Sequence, residues 1–394
     1  MVSKRIRAMK PSATSALAGR ILALKASGAE IAAFNVGEPD FPTPAPIVEA
    51  CARAMAEGRT KYTEIAGIPP LREAIAEKLR RDNALEYAPE QICVSVGAKQ
   101  AVYNAVQVLC DPGDEVIIPT PCWVSYVEIV RLAGAVPVLV PTTAAFHLDI
   151  DRIAAAITPR TRLVLLNTPN NPTGAVYDRV ELSALAELSL RFGFYVAADE
   201  VYEKLVYGDS VHVSIASLSP EVAQRTITVN DFSKAYAMTG WRIGYAVGPE
   251  DVVRGMVSLQ GHCTSNITTF VQWAALTALR ECDDSVEAMR QEFERRREYM
   301  YERLARIPGL SCPKPEGAFY LMPDVSSYYG KSFGDWRAEN AQDLCDYLLR
   351  EARIAIVPGD AFEAPDCVRF SYSASTETIR AGMDRMEQAL EQLA

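Results

Sequence analysis

Apolar residues follow two rhythms along this chain. Short β-branched runs recur at Ile92–Val96, Glu115–Ile118, Val136–Val140, Leu163–Leu166, Tyr195–Ala198, Thr226–Val229 and Ile243–Ala246. Between them apolar positions take helical spacing, near Gln100–Val108, Tyr126–Ala133, Ile150–Ala156 and Leu182–Arg191. Strand–helix alternation with short connections predicts an α/β fold, with a mostly parallel seven-stranded sheet covered by helices on both faces. The rhythm changes around Glu281–Arg306, where a long charged helix is expected. Short strands follow, then two more helices near Ala341–Glu351 and Thr376–Leu393. These imply a second, smaller α+β domain, completed by the N-terminal arm and first helix. The expected division assigns 48–290 to the large domain, and 1–47 with 291–394 to the arm and small domain. No Gly/Ser-rich linker and no internal repeat interrupts this plan.

Composition narrows the function. At 394 residues, 49% hydrophobic and 23% charged, the chain can bury a core without staples. Its nine cysteines are odd in number and scattered, with no C-x-x-C pair, which argues against a disulfide framework and a structural zinc site. The three histidines, His147, His212 and His262, lie far apart, so no metal centre is expected. A net charge of −10 argues against nucleic acid as the main partner. Small anions remain open as substrates, because a few basic residues dominate inside a cleft. The longest apolar stretch, Val116 to Val140, is broken by Glu128, Arg131 and three prolines, so no membrane span is expected. The N-terminal apolar run is cut by Arg20 and Lys25 and reads as a helix, not a signal peptide. A reducing cytoplasm is the expected compartment.

Sheets of this kind bind ligands at the carboxyl ends of their strands. Gly97-Ala98-Lys99-Gln100 follows the first run and opens a helix, where exposed amides attract an anion such as phosphate. Neither G-x-G-x-x-G after a strand nor G-x-x-x-x-G-K-[ST] is present, which disfavours dinucleotide-fold and P-loop readings. Asn167-Thr168-Pro169-Asn170-Asn171-Pro172-Thr173-Gly174 places three Asn in five positions at a strand end. Asp199, ending another strand, needs a partner: a helix N-terminus, an arginine or a protonated ring nitrogen. Lys234, between Ser233 and Ala235 after a further strand, suits a lysine that forms a Schiff base with a carbonyl. Arg242 follows eight residues later and is expected to reach the Gly97 anion. Arg369 is a lone cation inside an apolar strand. Its partner is either a ligand carboxylate or an internal Asp or Glu.

A Schiff-base lysine, an acid for a ring nitrogen, a phosphate cup and partners for a ring hydroxyl are what pyridoxal 5′-phosphate requires. Over essentially its full length the chain resembles the fold-type I, class I aminotransferases. The resemblance is carried by Gly37-Glu38-Pro39-Asp40-Phe41, Lys61-Tyr62, Gly97 to Gln100, Asn167 to Gly174 and Asp199-Glu200-Val201-Tyr202. It continues through Ser233-Lys234, Met238 to Gly244, Gly317-Ala318-Phe319-Tyr320, Val357-Pro358-Gly359 and Arg369. Met9 to Thr14 and the Gly-Ala-Lys-Gln turn resemble more narrowly the bacterial and plastid aspartate aminotransferase branch, some of whose members use prephenate.

This resemblance implies residue roles. Lys234 would carry the cofactor and shuttle protons, Asp199 would pair with the pyridinium nitrogen, and Asn171 and Tyr202 would hold the ring hydroxyl. Trp123 would stack on the ring. Backbone groups of Gly97, Ala98 and Lys99, with Ser233 and Arg242, would hold the phosphate, and Tyr62 would reach in from the other subunit. Arg369, with Asn171, Trp123 and Gly37, would bind the substrate α-carboxylate. Lys99, Ser12 and Thr14 are implicated in the distal carboxylate, and Lys10 matches a position linked to prephenate use. The large domain, 48–290, would bind the cofactor. A homodimer with active sites at the subunit interface is implied, acting on amino acids and 2-oxo acids, most specifically aspartate and 2-oxoglutarate.

Two residues depart from the family pattern. Asp231 stands where relatives mostly carry Gly or Ser, and a carboxylate there would repel a phosphate unless it points away. Cys122 replaces a usual Tyr, read as a packing exchange. His262 lies in a segment resembling one that approaches the partner site, and a structural role is expected for it. Alternatives are an aromatic, prephenate or broad-specificity aminotransferase, a lyase that would leave the acidic-substrate residues idle, and a non-catalytic regulatory protein of the same fold.

Overall fold

The computed structural model describes residues 30–393 and, before them, positions 2–7, 9, 19, 21, 24, 26 and 28. Lys10, Ser12 and Thr14 lie outside the described residues. All seven predicted runs enter one sheet: β1 Ile92–Ser95, β2 Glu115–Thr120, β3 Val136–Pro141, β4 Thr161–Asn167, β5 Tyr195–Asp199, β6 Thr226–Asp231 and β7 Gly244–Val247. The order is β1-β7-β6-β5-β4-β2-β3, and only β7 runs antiparallel to its neighbours. Every residue of β1, β2, β6 and β7 is buried; β1, β7 and the centre of β2 accordingly read as apolar runs, while β6 alternates Thr226, Ile227, Thr228 and Val229 and reads as a strand through its β-branched residues. β3 is the exposed edge and carries Pro137 and Pro141, which blunt it against pairing.

The longer helices are α1 Ala45–Ala56, α2 Pro69–Asn83, α3 Gly97–Leu109, α4 Ser125–Leu132, α5 Ile150–Ala156, α6 Arg179–Phe192, α7 Glu250–Cys263, α8 Thr269–Glu281, α9 Asp283–Arg306, α10 Ala341–Glu351 and α11 Thr376–Glu391. α6 has clear local causes: Asp178 accepts from the amides of Val180 and Glu181, and Gly193 (φ 80°) ends it in the left-handed region. Four helices go beyond the expected set: α1, α2, α7 and α8. Prolines open α1 and α2 and suggest loops, yet proline at the first helical turn needs no donor. α8 is buried almost all round and so lacks a polar face to mark its period.

A smaller antiparallel sheet joins β8 Tyr320–Leu321, β9 Val357–Pro358 and β10 Val368–Ser371 in the order β9-β10-β8. Ala32–Ala33 pairs in parallel with Ile354–Ala355, tying the N-terminal segment to this part. α9 is one unbroken helix of 24 residues and bridges the division expected at 290/291. Its Phe293 is fully buried, 5.3 Å from the rings of both Phe41 and Phe319. One hydrophobic core therefore runs from Ile118 and Leu165 through Phe293 to Leu344 and Met383. No described helix is long and apolar enough to cross a membrane.

Candidate active site

Sheet register decides which side chains meet. Asn167, last in β4, pairs with Asp199, last in β5, which pairs with Val229 of β6. Three strand ends thus converge on a cavity of about 630 Å³ lined by Asp199, Tyr202, Lys234, Arg242, Asn171 and Arg369. The chain wraps back so that Asn35, Val36 and Gly37 form another wall.

Lys234 follows β6 and donates from Nζ to the Gly37 carbonyl at 2.8 Å. Gly37 is required there: a methyl group built on it would meet the Tyr320 hydroxyl at 2.3 Å. Asp199 is buried, and its Oδ2 accepts from the Tyr126 hydroxyl at 2.6 Å. Burial pushes its carboxyl up to about 7, with nearby Asp231 adding to the rise and the Tyr126 bond opposing it. Such a carboxyl gains by facing a cation. Tyr202 shares a 2.8 Å hydrogen bond with Tyr320, and burial raises its phenol well above the ordinary value.

Opposite the sheet, Arg369 projects from β10. Its Nη1 donates to Asn171 Oδ1 and its Nη2 to the Asn35 carbonyl, each at 2.9 Å. The rings of Tyr320 and Phe362 flank its guanidinium at 4.6 and 4.7 Å. Nε is buried without a partner, and among the described residues no carboxylate pairs with this arginine. An internal Asp or Glu, which residue type alone allows, is therefore not what holds it. Burial lowers the Arg369 pKa, so a buried cation awaits an anion here.

At the start of α3, Gly97 (φ 72°) lets Arg242 approach: a methyl group there would lie 2.5 Å from Nη2. Ser233 Oγ is buried without a partner. Helix-start amides, an unsatisfied hydroxyl and an arginine make an anion cradle. Lys99, on the exposed side of this turn, places its ammonium 4.9 Å above the Trp123 ring. Burial, Arg242 and Lys234 lower its pKa. Trp123 is half-buried and meets Tyr126 edge-on at 5.3 Å.

The cavity thus brings together Gly37, Ala98, Lys99, Trp123, Asn171, Asp199, Tyr202, Ser233, Lys234, Arg242 and Arg369. Gly97 is not part of the lining and lies against the Arg242 guanidinium. Tyr62 is not in this cavity; it is 89% exposed. His262, expected as structural, is exposed on α7. Cys122 is buried and its amide donates to the Phe362 carbonyl at 3.1 Å. Asp231 does not point away: it lines the cavity. Residues missed from sequence are Tyr126 and Asn35, which hydrogen-bond Asp199 and Arg369, and Phe362, whose ring flanks Arg369; Tyr126 is legible in the sequence only as one position of a helix. Away from the cavity, Glu200, Glu203 and His212 bring ligand atoms within 4.8 Å, but the Lys78 ammonium already pairs with Glu203.

An amine, a buried acid, two hydroxyl-holding groups and a phosphate cradle fit pyridoxal 5′-phosphate, and the unpartnered Ser233 Oγ and Arg369 Nε add places for a phosphate and a substrate carboxylate. The fold and site define a fold-type I enzyme that uses this cofactor on amino acids. More narrowly, the chain belongs to the family of class I and II aminotransferases, whose sequence model matches residues 29–386. It is 46% identical to an aspartate aminotransferase of Geobacillus stearothermophilus, over 99% of each chain. It is also 46% identical to a probable aspartate/prephenate aminotransferase of Aquifex aeolicus, over 100% of this chain and 99% of that one. The solved aspartate aminotransferase from Rhizobium meliloti superposes with a TM-score of 0.96 at 40% identity, covering both chains fully.

Proposed function

We propose that the protein is a cytoplasmic, homodimeric aspartate aminotransferase. It moves the amino group of L-aspartate to 2-oxoglutarate and yields oxaloacetate and L-glutamate in a ping-pong sequence. The observation that carries this reading is the buried Arg369, unpaired by any described carboxylate, in one cavity with Lys234 and Asp199. A planar fork held by Asn171 and Asn35 is shaped for an α-carboxylate.

Pyridoxal 5′-phosphate supplies, when bound, an aldehyde that links to amines and a ring that takes up the electron pair left at the substrate Cα. Lys234 Nζ takes the Cα proton as general base and gives one back as general acid. Asp199 would pair with the pyridine nitrogen. Asn171 and Tyr202 would hold the ring hydroxyl, and Trp123 would stack on the ring. The Gly97, Ala98 and Lys99 backbone, Ser233 and Arg242 would bind the phosphate. Lys99 would bind the distal carboxylate of an acidic substrate, a role the family resemblance extends to Ser12 and Thr14.

The exposure of Tyr62 supports a homodimer in which Tyr62 of one subunit reaches its partner's phosphate; exposed Val48 and Met55 on the same stretch support a covering copy. Nine unpaired cysteines support a reducing compartment. The seven-stranded sheet within 92–247 and the small sheet within 320–371 support a large domain of 48–290, with 1–47 and 291–394 forming the arm and small domain.

Prephenate as a second oxo acid is favoured by the relatives from Aquifex aeolicus and Thermus aquaticus named as probable aspartate/prephenate aminotransferases, and by Lys10. A transamination screen of aspartate, glutamate, tyrosine and prephenate tests both readings. Aspartate should lead the donors. A preference for tyrosine over aspartate would reject the acidic-substrate reading, and inert prephenate would reject the second.

A further inference from the structure

Asp231 ends β6, and its side chain lies on the cavity wall. It is 9% exposed, and its Oδ1 accepts the Ser233 amide at 2.9 Å. Gly244 of β7 is its antiparallel partner. A methyl group built on Gly244 would meet Ala98 N at 2.7 Å and Asp231 Cβ at 2.8 Å. The Asp231 side chain therefore branches beside the amide that opens α3, at the base of the anion cradle. Charged groups face it from every side. Lys234 and Arg242 come from the chain after β6, Asp199 from β5 and Lys99 from α3. Lys78, Glu203 and Lys204 lie across a small cleft behind.

A carboxylate in a cradle built for an anion has two effects. It draws on the same cations, and it occupies the backbone amide of Ser233, the residue whose hydroxyl is unpartnered. Like charges held close in a desolvated site repel strongly. We propose that Asp231 sets the cofactor affinity of this enzyme: it is an internal counter-anion that loosens the hold on the phosphate and speeds cofactor exchange. The proposal rests on the reading that the Gly97–Ala98 turn, Ser233 and Arg242 hold the phosphate. Burial raises the Asp231 carboxyl while Lys234, Ser233 and Arg242 favour its ionised form; a phosphate held by the same cations would repel that ionised form.

Asp231→Asn keeps an acceptor for the Ser233 amide and removes the charge. Binding of pyridoxal 5′-phosphate to the apoenzyme is titrated by absorbance, its release from the holoenzyme is timed, and both are repeated with pyridoxal, which lacks the phosphate. Asp231→Asn should bind pyridoxal 5′-phosphate about tenfold tighter than the native enzyme and release it more slowly, with no gain for pyridoxal. Asp231→Gly removes the whole side chain and should change affinity in the same direction, which keeps the test decisive where one variant folds poorly. Native preference for pyridoxal 5′-phosphate with no tightening in either variant overturns the Asp231 proposal alone. Equal native affinity for the two ligands overturns the cradle reading on which it rests.

Discussion

Tyr126 Oη donates to Asp199 Oδ2 at 2.6 Å, joining a helix residue to a strand end within a buried surround. The bond stabilises the ionised carboxylate, while burial works against it. Tyr126→Phe removes that donor and should raise the Asp199 carboxyl further. The acid limb of the kcat/KM profile should then move to higher pH by about one to two pH units, the worth of one hydrogen bond to a charged group. An unmoved limb would show that the phenol does not support the ionised form.

Asp199 also makes a stability prediction for the apoenzyme. Its folded pKa of about 7 lies above the ordinary 3.8. Between these values the folded state keeps a proton that the unfolded chain has lost, so stability falls as pH rises from about 4 to about 7, then levels off. Asp199→Asn should lack this share of the decline, which amounts to about 1.4 kcal/mol per pH unit across that window. Melting curves of the two apoenzymes that stay parallel from pH 4 to 7 would show that the buried carboxyl keeps its ordinary acidity. With cofactor, Asp199→Ala should keep phosphate-anchored binding and lose most turnover.

Lys234 is, among the described residues, the lysine whose Nζ is held over the cavity against the Gly37 carbonyl. Lys234→Ala should abolish turnover and the adduct that borohydride traps on the native enzyme. Recovery of the reduced adduct on another lysine peptide would contradict its assignment.

Arg369 holds an uncompensated charge in a buried site. Arg369→Met should therefore melt as high as the native enzyme or higher without ligand, because a buried cation is exchanged for apolar packing. A dicarboxylate inhibitor should raise the native melting temperature and leave the variant unchanged. kcat/KM should fall by about 2–5 kcal/mol in transition-state terms. A ligand-induced rise in melting temperature preserved in Arg369→Met would place the α-carboxylate elsewhere.

Lys99 tests substrate choice. It is exposed at the cavity mouth, so a contact with a distal carboxylate should be worth about 1.5–3 kcal/mol, the range of a hydrogen bond to a charged group. Lys99→Ala should lose that much in kcat/KM for aspartate, glutamate and prephenate, and little for alanine or phenylalanine. Equal losses for acidic and neutral donors would leave Lys99 only a role in the cradle.

The strands were legible in the sequence, because burial on both faces leaves apolar runs in β1, β7 and the centre of β2, and β6 is marked by its β-branched Thr226 to Val229. The chemical groups just past the strand ends were legible too: Asp199 closes an apolar run, and Asn171 and Lys234 stand in the polar turns that follow β4 and β6. Local motifs carried that information, since each needs only a few neighbouring residues. Helices α1 and α8 escaped, one hidden by its opening prolines and the other by burial on all sides. Only the tertiary structure decided which groups face one another. Arg369 meets Asn171 across 198 positions and Lys234 meets Gly37 across 197, contacts made by sheet register and by the return of the chain through β10. The direction of Asp231 was settled the same way: its residue type allowed it to turn inward or away, and pairing with Gly244 beside the Ala98 amide turned it into the cradle.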